Sequence, residues 1–199
     1  MMNIVTHYFS TFKEILDRID SKPIHKAIDI LHEARLNGRR VFIMGNGGSA
    51  STASHFVCDL AKNTRHPNWP DFRVIGLADN MAILSAYAND EGYENVFAQQ
   101  LASLVQSNDV VIGISTSGNS PNVLNAIDVA KKAGSYTIGM TGFDAGKLGA
   151  MVDLHIHVPS DCIEQVEDIH LMLEHLITKA LRERVWLPLN SHAVAAVPA

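Results

Sequence analysis

Cysteine is nearly absent from this 199-residue chain, with Cys58 and Cys162 the only two. Two thiols make neither a disulfide framework nor a cysteine-rich zinc site, and they suit a reducing compartment. Basic charge is also scarce, with 16 Lys and Arg against 21 Asp and Glu. The resulting formal charge of −5 offers no field that would gather a polyanion, so no direct contact with nucleic acid is expected. Long apolar runs are missing as well. Stretches such as residues 41–44 and 110–114 fall far short of the roughly 18–20 residues that cross a bilayer, and no membrane association is expected. The first 20 residues carry Lys13, Glu14, Asp17, Arg18 and Asp20 in an amphipathic pattern instead of a signal-peptide core. These absences predict a cytoplasmic globular protein.

What is present is apolar content of 47%, enough at this length for one domain with its own core. A single domain is expected over residues 1–187, and the small, aperiodic residues 188–199 read as a loose tail. Apolar spacing predicts helices over 3–19 and 22–37, the second with Pro23 in its first turn and Gly38 after its end. Beyond them, short apolar strands alternate with helical patterns. Strands are expected at 40–44, 72–77, 109–114, 136–140 and 153–158, and helices at 50–62, 81–89, 122–133 and 163–184. The alternation predicts an α/β fold, a three-layer αβα sandwich around a central parallel sheet. Ligands of such sheets bind outside the carboxyl ends of the strands.

Two loops at such ends have the composition of anion sites. Gly45-Asn46-Gly47-Gly48-Ser49-Ala50 follows a buried strand and opens a helix, so its N–H groups can approach a ligand closely. The spacing Gly45-x-Gly47-x-x-Ala50 also meets the dinucleotide fingerprint, a weak signal alone. That fingerprint wants an acid about 20 residues on, whereas the nearest candidate, Asp79, lies over 30 beyond Gly47. Ser115-Thr116-Ser117-Gly118-Asn119-Ser120 is the second loop, with Ser120 placed to cap the helix that begins near Pro121. Capping does not explain its other three hydroxyls. With no lysine or arginine nearby, the pair of loops fits a small phosphate monoester better than a triphosphate.

His55 and Asp59, four apart on the helix after the first loop, project from one face. The last helix adds Glu164, Glu167, Asp168, His170, Glu174 and His175, several of which read as ordinary solvent-facing charges. Glu167 and His175 are eight residues apart, roughly 80° around and about 12 Å along an ideal helix, a poor placement for sharing one ion. His155 and His157 alternate along a strand and read as structural.

The motifs Gly45-Asn-Gly-Gly-Ser-Ala50 leading to His55, Asn89-Asp90-Glu-Gly-Tyr93, Ser115-Thr-Ser-Gly-Asn-Ser120 and Ile169-His170-Leu-Met-Leu-Glu-His175 make the chain resemble the sugar isomerase (SIS) domain family. Within it the likeness is to the sedoheptulose-7-phosphate, or phosphoheptose, isomerases, over roughly residues 3–185. The resemblance implies a flavodoxin-like fold, a homotetramer with sites between subunits, and aldose–ketose isomerisation of a phospho-sugar through an enediol. It implies Asp59 and His175 as catalytic residues, and zinc or another divalent ion held by His55, Asp59, Glu167 and His175. Sugar-phosphate contacts are implied at Asn46, Gly47, Gly48, Ser49, Asn89, Asp90, Ser115, Thr116, Ser117, Ser120 and Glu167. The chain departs from the family in carrying Asp59 for glutamate, Glu167 for glutamine and Asn63 for arginine, with Arg65 two residues later. These departures motivate a second expectation, a non-catalytic SIS protein that binds phospho-sugars or associates with a replication initiator.

Overall fold

Alternating strand and helix signals along the chain become, in a computed structural model that describes residues 3–67 and 69–184, a layered α/β structure. The expected tail at 188–199 lies outside the described residues. Helices α1 (Ile4–Arg18) and α2 (Ser21–Leu36) precede strand β1 (Arg40–Gly45) and helix α3 (Gly48–Cys58), which runs into a π-helical turn over Asp59–Asn63. Then follow β2 (Arg73–Gly76), α4 (Met81–Glu91), a 3₁₀ turn at Tyr93–Asn95, α5 (Val96–Ala102), β3 (Val110–Ile114) and α6 (Pro121–Lys132). The chain continues through β4 (Tyr136–Thr141), α7 (Gly146–Met151), β5 (Leu154–His157) and α8 (Ile163–Arg184). The α8 bounds are those the periodicity predicts; α5 and α7 are additions. Asp20 caps α2, its carboxylate accepting from the Lys22 N–H at 2.9 Å.

Among the described residues all four strand pairings are parallel, and the order is β2-β1-β3-β4-β5. Alternate residues of each strand feed opposite faces, as a pleat requires. Val41, Ile43, Val110, Ile112 and Ile114 enter the core under α1, α2, α3 and α8. Phe42, Met44 and Val111 enter the one under α5, α6 and α7. The three-layer sandwich is therefore present, and the chain direction reverses its progress across the sheet between β1 and β3. In an open parallel sheet that crevice is the ligand site.

His155 and His157 of β5 are structural, as their strand placement suggests, and His170 of α8 is structural too. His155 Nε2 lies 2.7 Å from Thr141 Oγ1, and His157 Nε2 lies 2.9 Å from the Phe143 carbonyl. His170 is buried, its Nε2 donating to the Thr141 carbonyl at 3.2 Å while Nδ1 has no hydrogen-bond partner among the described residues. Burial pushes its pKa down to about 4, with a smaller push from His157. Below the unfolded value near 6.5 the unfolded chain takes up a proton that the folded chain refuses, so stability falls as pH drops from about 6.5 toward 4. His170→Gln is expected to remove about 2 kcal/mol of the stability lost between about pH 7 and pH 5. Urea unfolding at the two pH values reads this, and equal losses in both proteins would refute it.

Candidate functional site

β1 and β3 pair with Gly45 level with Ile114, so the loops that follow them leave the sheet side by side. In the first loop Gly47 has φ +54°, a left-handed conformation that favours glycine. At Gly48, the first residue of α3, a Cβ would overlap the Glu167 carboxylate. Glycine there admits Glu167 against the positive end of α3, where a carboxylate is favoured. Ser49 is buried, packed onto Gly45.

In the second loop the structure differs from expectation at one point. Ser120 occupies the N-cap position of α6 but makes no side-chain cap bond. Its Oγ instead lies 3.0 Å from that of Ser115, so the two hydroxyls face each other across the loop. Ser117 Oγ accepts from the Asn119 N–H at 3.2 Å, and Thr116 stands half-exposed between them. Hydroxyls and a helix N-terminus thus meet with no cationic side chain in the loop, a donor set that suits a small phosphate.

The two loops are joined. Asn46 and Asn122 exchange amide hydrogen bonds of 2.9 and 2.8 Å, and the Tyr93 hydroxyl donates to Asn46 Oδ1 at 2.9 Å. Asn122 and Tyr93 were not among the expected site residues. Asn122 is buried on the first turn of α6, and an asparagine at that position beside a hydroxyl-rich loop was the available signal. Tyr93 brings along Asn89 and Asp90 of the last turn of α4, where Asn89 Nδ2 donates to Asp90 Oδ1 at 2.7 Å. Asp79 accepts from the Ser54 hydroxyl and lies against Gly76, so the acid that a dinucleotide site would need is already engaged.

Farther along α3, titratable groups converge from two helices. His55 Nε2 stands 3.1 Å from His175 Nε2 and 3.7 Å from Asp59 Oδ1. Asp59 begins the π turn and is buried; the widened turn brings Asn63 back over it, Nδ2 donating to Oδ1 at 2.6 Å. Asn63 therefore orients Asp59, while Arg65 faces away in an exposed pair with Asp71 at 3.5 Å. The fourth member is Glu174, whose Oε2 lies 3.4 Å from His175 Nε2. Donor atoms of His55, Asp59, Glu174 and His175 all lie within 4.8 Å of one another. Two imidazoles and two carboxyl groups are donors that suit zinc or a similar divalent ion.

Glu167, which the resemblance implied as a ligand, is not in this group. Two helical turns separate it from His175, and its carboxylate goes to Gly48. Glu174, one of six α8 residues of which the sequence left several to solvent without saying which, is 0% exposed. Its pKa is pushed up to about 8, chiefly by burial and then by the neighbouring Asp59 charge.

Residues 7–142 match the SIS domain family, over half of the chain, and the chain belongs to that family. The phosphoheptose isomerase of Aliarcobacter butzleri is 40% identical over 162 residues, 80% of this chain and 84% of the relative. That of Helicobacter pylori is 36% identical over 178 residues, 88% of this chain and 92% of the relative. These identities make it a member of the phosphoheptose isomerase branch. The solved phosphoheptose isomerase of Neisseria gonorrhoeae superposes with a TM-score of 0.83 at 29% identity, covering 90% of this chain and 97% of that one.

Because Asn122 is the hinge between the loops, Asn122→Ala is expected to lower stability to urea by about 1–3 kcal/mol. It should also speed amide hydrogen exchange in residues 45–49 and 115–120. Unchanged exchange in both loops would show that each holds its place independently.

Proposed function

We infer that this protein is an aldose–ketose isomerase that converts sedoheptulose 7-phosphate to D-glycero-D-manno-heptose 7-phosphate. The observation that carries the reading is the convergence of His55, Asp59 and His175 at the end of the helix that the first anion loop opens. Identity of 36–40% with phosphoheptose isomerases over most of the chain supports it. The 7-phosphate would rest among Ser115, Thr116, Ser117 and Ser120 at the start of α6. Asn46, Gly47, Gly48 and Ser49, with Asn89, Asp90 and Glu167, would form the wall along the carbon chain. Exposed His55 and His175 fit a site completed by a neighbouring copy, so a cytoplasmic homotetramer is the proposed working form.

The reaction moves one carbon-bound proton. A base removes a proton from C1 of the ketose, the electron pair becomes the C1–C2 double bond, and the carbonyl oxygen on C2 takes a proton. The enediol then loses the proton on O1 as C2 receives one, which leaves the carbonyl at C1. Asp59 is the group for the carbon proton. It is buried, and Asn63 fixes the direction of its carboxylate. His175 is the group for the oxygen protons, since an imidazole both donates and accepts near neutral pH. His55, 3.1 Å from His175, holds that ring in register. His55, Asp59 and His175 would hold a divalent ion such as zinc, and the charge it would supply there is of the kind that stabilises an enediolate oxygen.

Incubation with sedoheptulose 7-phosphate in D₂O should give the aldoheptose phosphate with deuterium at C2, read by NMR. Asp59→Asn is expected to lower the rate about 10²–10⁴-fold while phosphate-ester binding persists. Binding without turnover in the unaltered protein would favour the non-catalytic SIS reading. Full turnover in the variant would remove Asp59 from the mechanism.

A further inference from the structure

The hydroxyl loop has no cation of its own, so its hold on a phosphate depends on where its peptides point. N–H and O–H groups must face the anion and carbonyl oxygens must not. Four successive carbonyls are engaged elsewhere. Ser115 O accepts from the Gly118 N–H at 3.0 Å, Thr116 O from the Gly142 N–H at 2.8 Å and Gly118 O from the Leu148 N–H at 2.9 Å. Those three donors are backbone groups. The Ser117 carbonyl differs, because its donor is a side chain, Asn119 Nδ2 at 3.0 Å. The same amide is engaged at its other end, Oδ1 accepting from the Lys147 N–H at 3.1 Å. The Asn119 N–H in turn donates to Ser117 Oγ, and a hydroxyl that accepts in this way keeps its proton for an acceptor outside the loop.

Gly142, Lys147 and Leu148 belong to one strap, residues 142–148, which runs from the end of β4 into the first turn of α7. The strap lies directly against the loop. A Cβ on Gly118 would overlap the Ala145 carbonyl, and one on Gly146 would overlap that of Ser117. Phe143 and Ala145 have φ of +48° and +71°, in the left-handed region that a residue with a Cβ adopts at a cost. Such a backbone persists only where its surroundings fix it, and it gathers at functional sites. Here Phe143 N–H donates to the Ser160 carbonyl at 2.9 Å and the Phe143 carbonyl accepts from His157 Nε2 at 2.9 Å. The strap is thus a fixed support that presents its N–H groups to the hydroxyl loop.

We propose that Asn119 is a positioning residue of the phosphate cradle: braced by the strap through the Lys147 N–H, its amide holds the Ser117 carbonyl away from the anion. This inference rests on the reading of residues 115–120 as the phosphate site. Without the amide the Ser117 carbonyl is free to tilt toward the phosphate, where its dipole opposes binding. The reacting carbons are at the other end of the substrate, beside Asp59 and His175. The loss therefore falls equally on ground state and transition state, which raises KM and spares kcat.

The test uses the full-length protein with sedoheptulose 7-phosphate as substrate. Calorimetry gives the dissociation constants of inorganic phosphate and of the heptitol 7-phosphate made by reducing the substrate, which cannot isomerise. Asn119→Ala should raise KM and both dissociation constants about tenfold, the effect of one hydrogen bond, with kcat within about threefold. Asn119 is exposed, and an unchanged urea midpoint confirms that the variant folds. Should it not fold, Asn119→Asp keeps an oxygen for the Lys147 N–H but has no proton for the Ser117 carbonyl, and should lose at least as much affinity. Lys147→Ala keeps the backbone N–H and should stay within about twofold of the unaltered protein. Affinities that do not move in the Asn119 variants, or a fall in kcat that matches the rise in KM, overturn the proposal. So does an equal loss in Lys147→Ala, which would place the effect in the ammonium charge. Heptitol phosphate binding that weakens as stated, in a protein without turnover, leaves the proposal standing while the isomerase reading falls. Turnover with affinities indifferent to Asn119 does the reverse, and an unaltered protein that binds no phosphate ester removes the cradle and the proposal with it.

Discussion

The pairing of β1 with β3 is the constraint on which the rest of the molecule depends. In the order β2-β1-β3-β4-β5 the sheet grows outward in both directions from that pair, and the strand ends at Gly45 and Ile114 are held level. Everything chemical is stacked on this junction. The glycine loop and the hydroxyl loop diverge from it to α3 and α6, and α3 carries His55 and Asp59 away from the sheet edge toward α8. α8 shares a core with α3 through Phe56, Leu60, Val166, Ile169 and Leu173, so the apolar contact that docks the last helix also fixes the gap in which the titratable groups meet. A shift of β1 by one residue would turn its core side chains to the wrong face and separate the two loops.

Much of this is legible in the sequence, for reasons that also mark the limits. Strands buried on both faces read as apolar runs, and α8 reads as a helix because its buried positions recur every three or four residues. α5 escapes notice because Val96, Phe97, Ala98, Gln100 and Leu101 are all buried in seven residues, which leaves no polar face to set a period. α7 is short and contains two glycines, so it carries little local helical preference. Both are made by their surroundings. Loop chemistry was visible as composition, but the bond between Asn46 and Asn122, 76 residues apart, is tertiary.

Glu174 is the instructive residue. Charge type suggested the surface, whereas position suggested the interior: Val166, Ile169, His170, Leu173, Ile177, Thr178 and Leu181 are buried along one stripe of α8, and Glu174 falls within it. Period outweighed residue type, because docking against α3 decides burial for the whole stripe at once. The π turn at Asp59–Asn63 is the complementary case, invisible to any pattern of apolar residues, yet it sets where the shorter carboxylate of Asp59 ends and what holds it.

The bridge between the loops is made of two amides and a phenol. None of these groups is charged at neutral pH, so dissolved salt does not screen the contact as it would an ion pair. Changes in ionic strength therefore act on the incoming phosphate and leave the cradle that receives it intact. A binding surface held this way keeps its shape when empty, and the ligand does not have to supply the ordering.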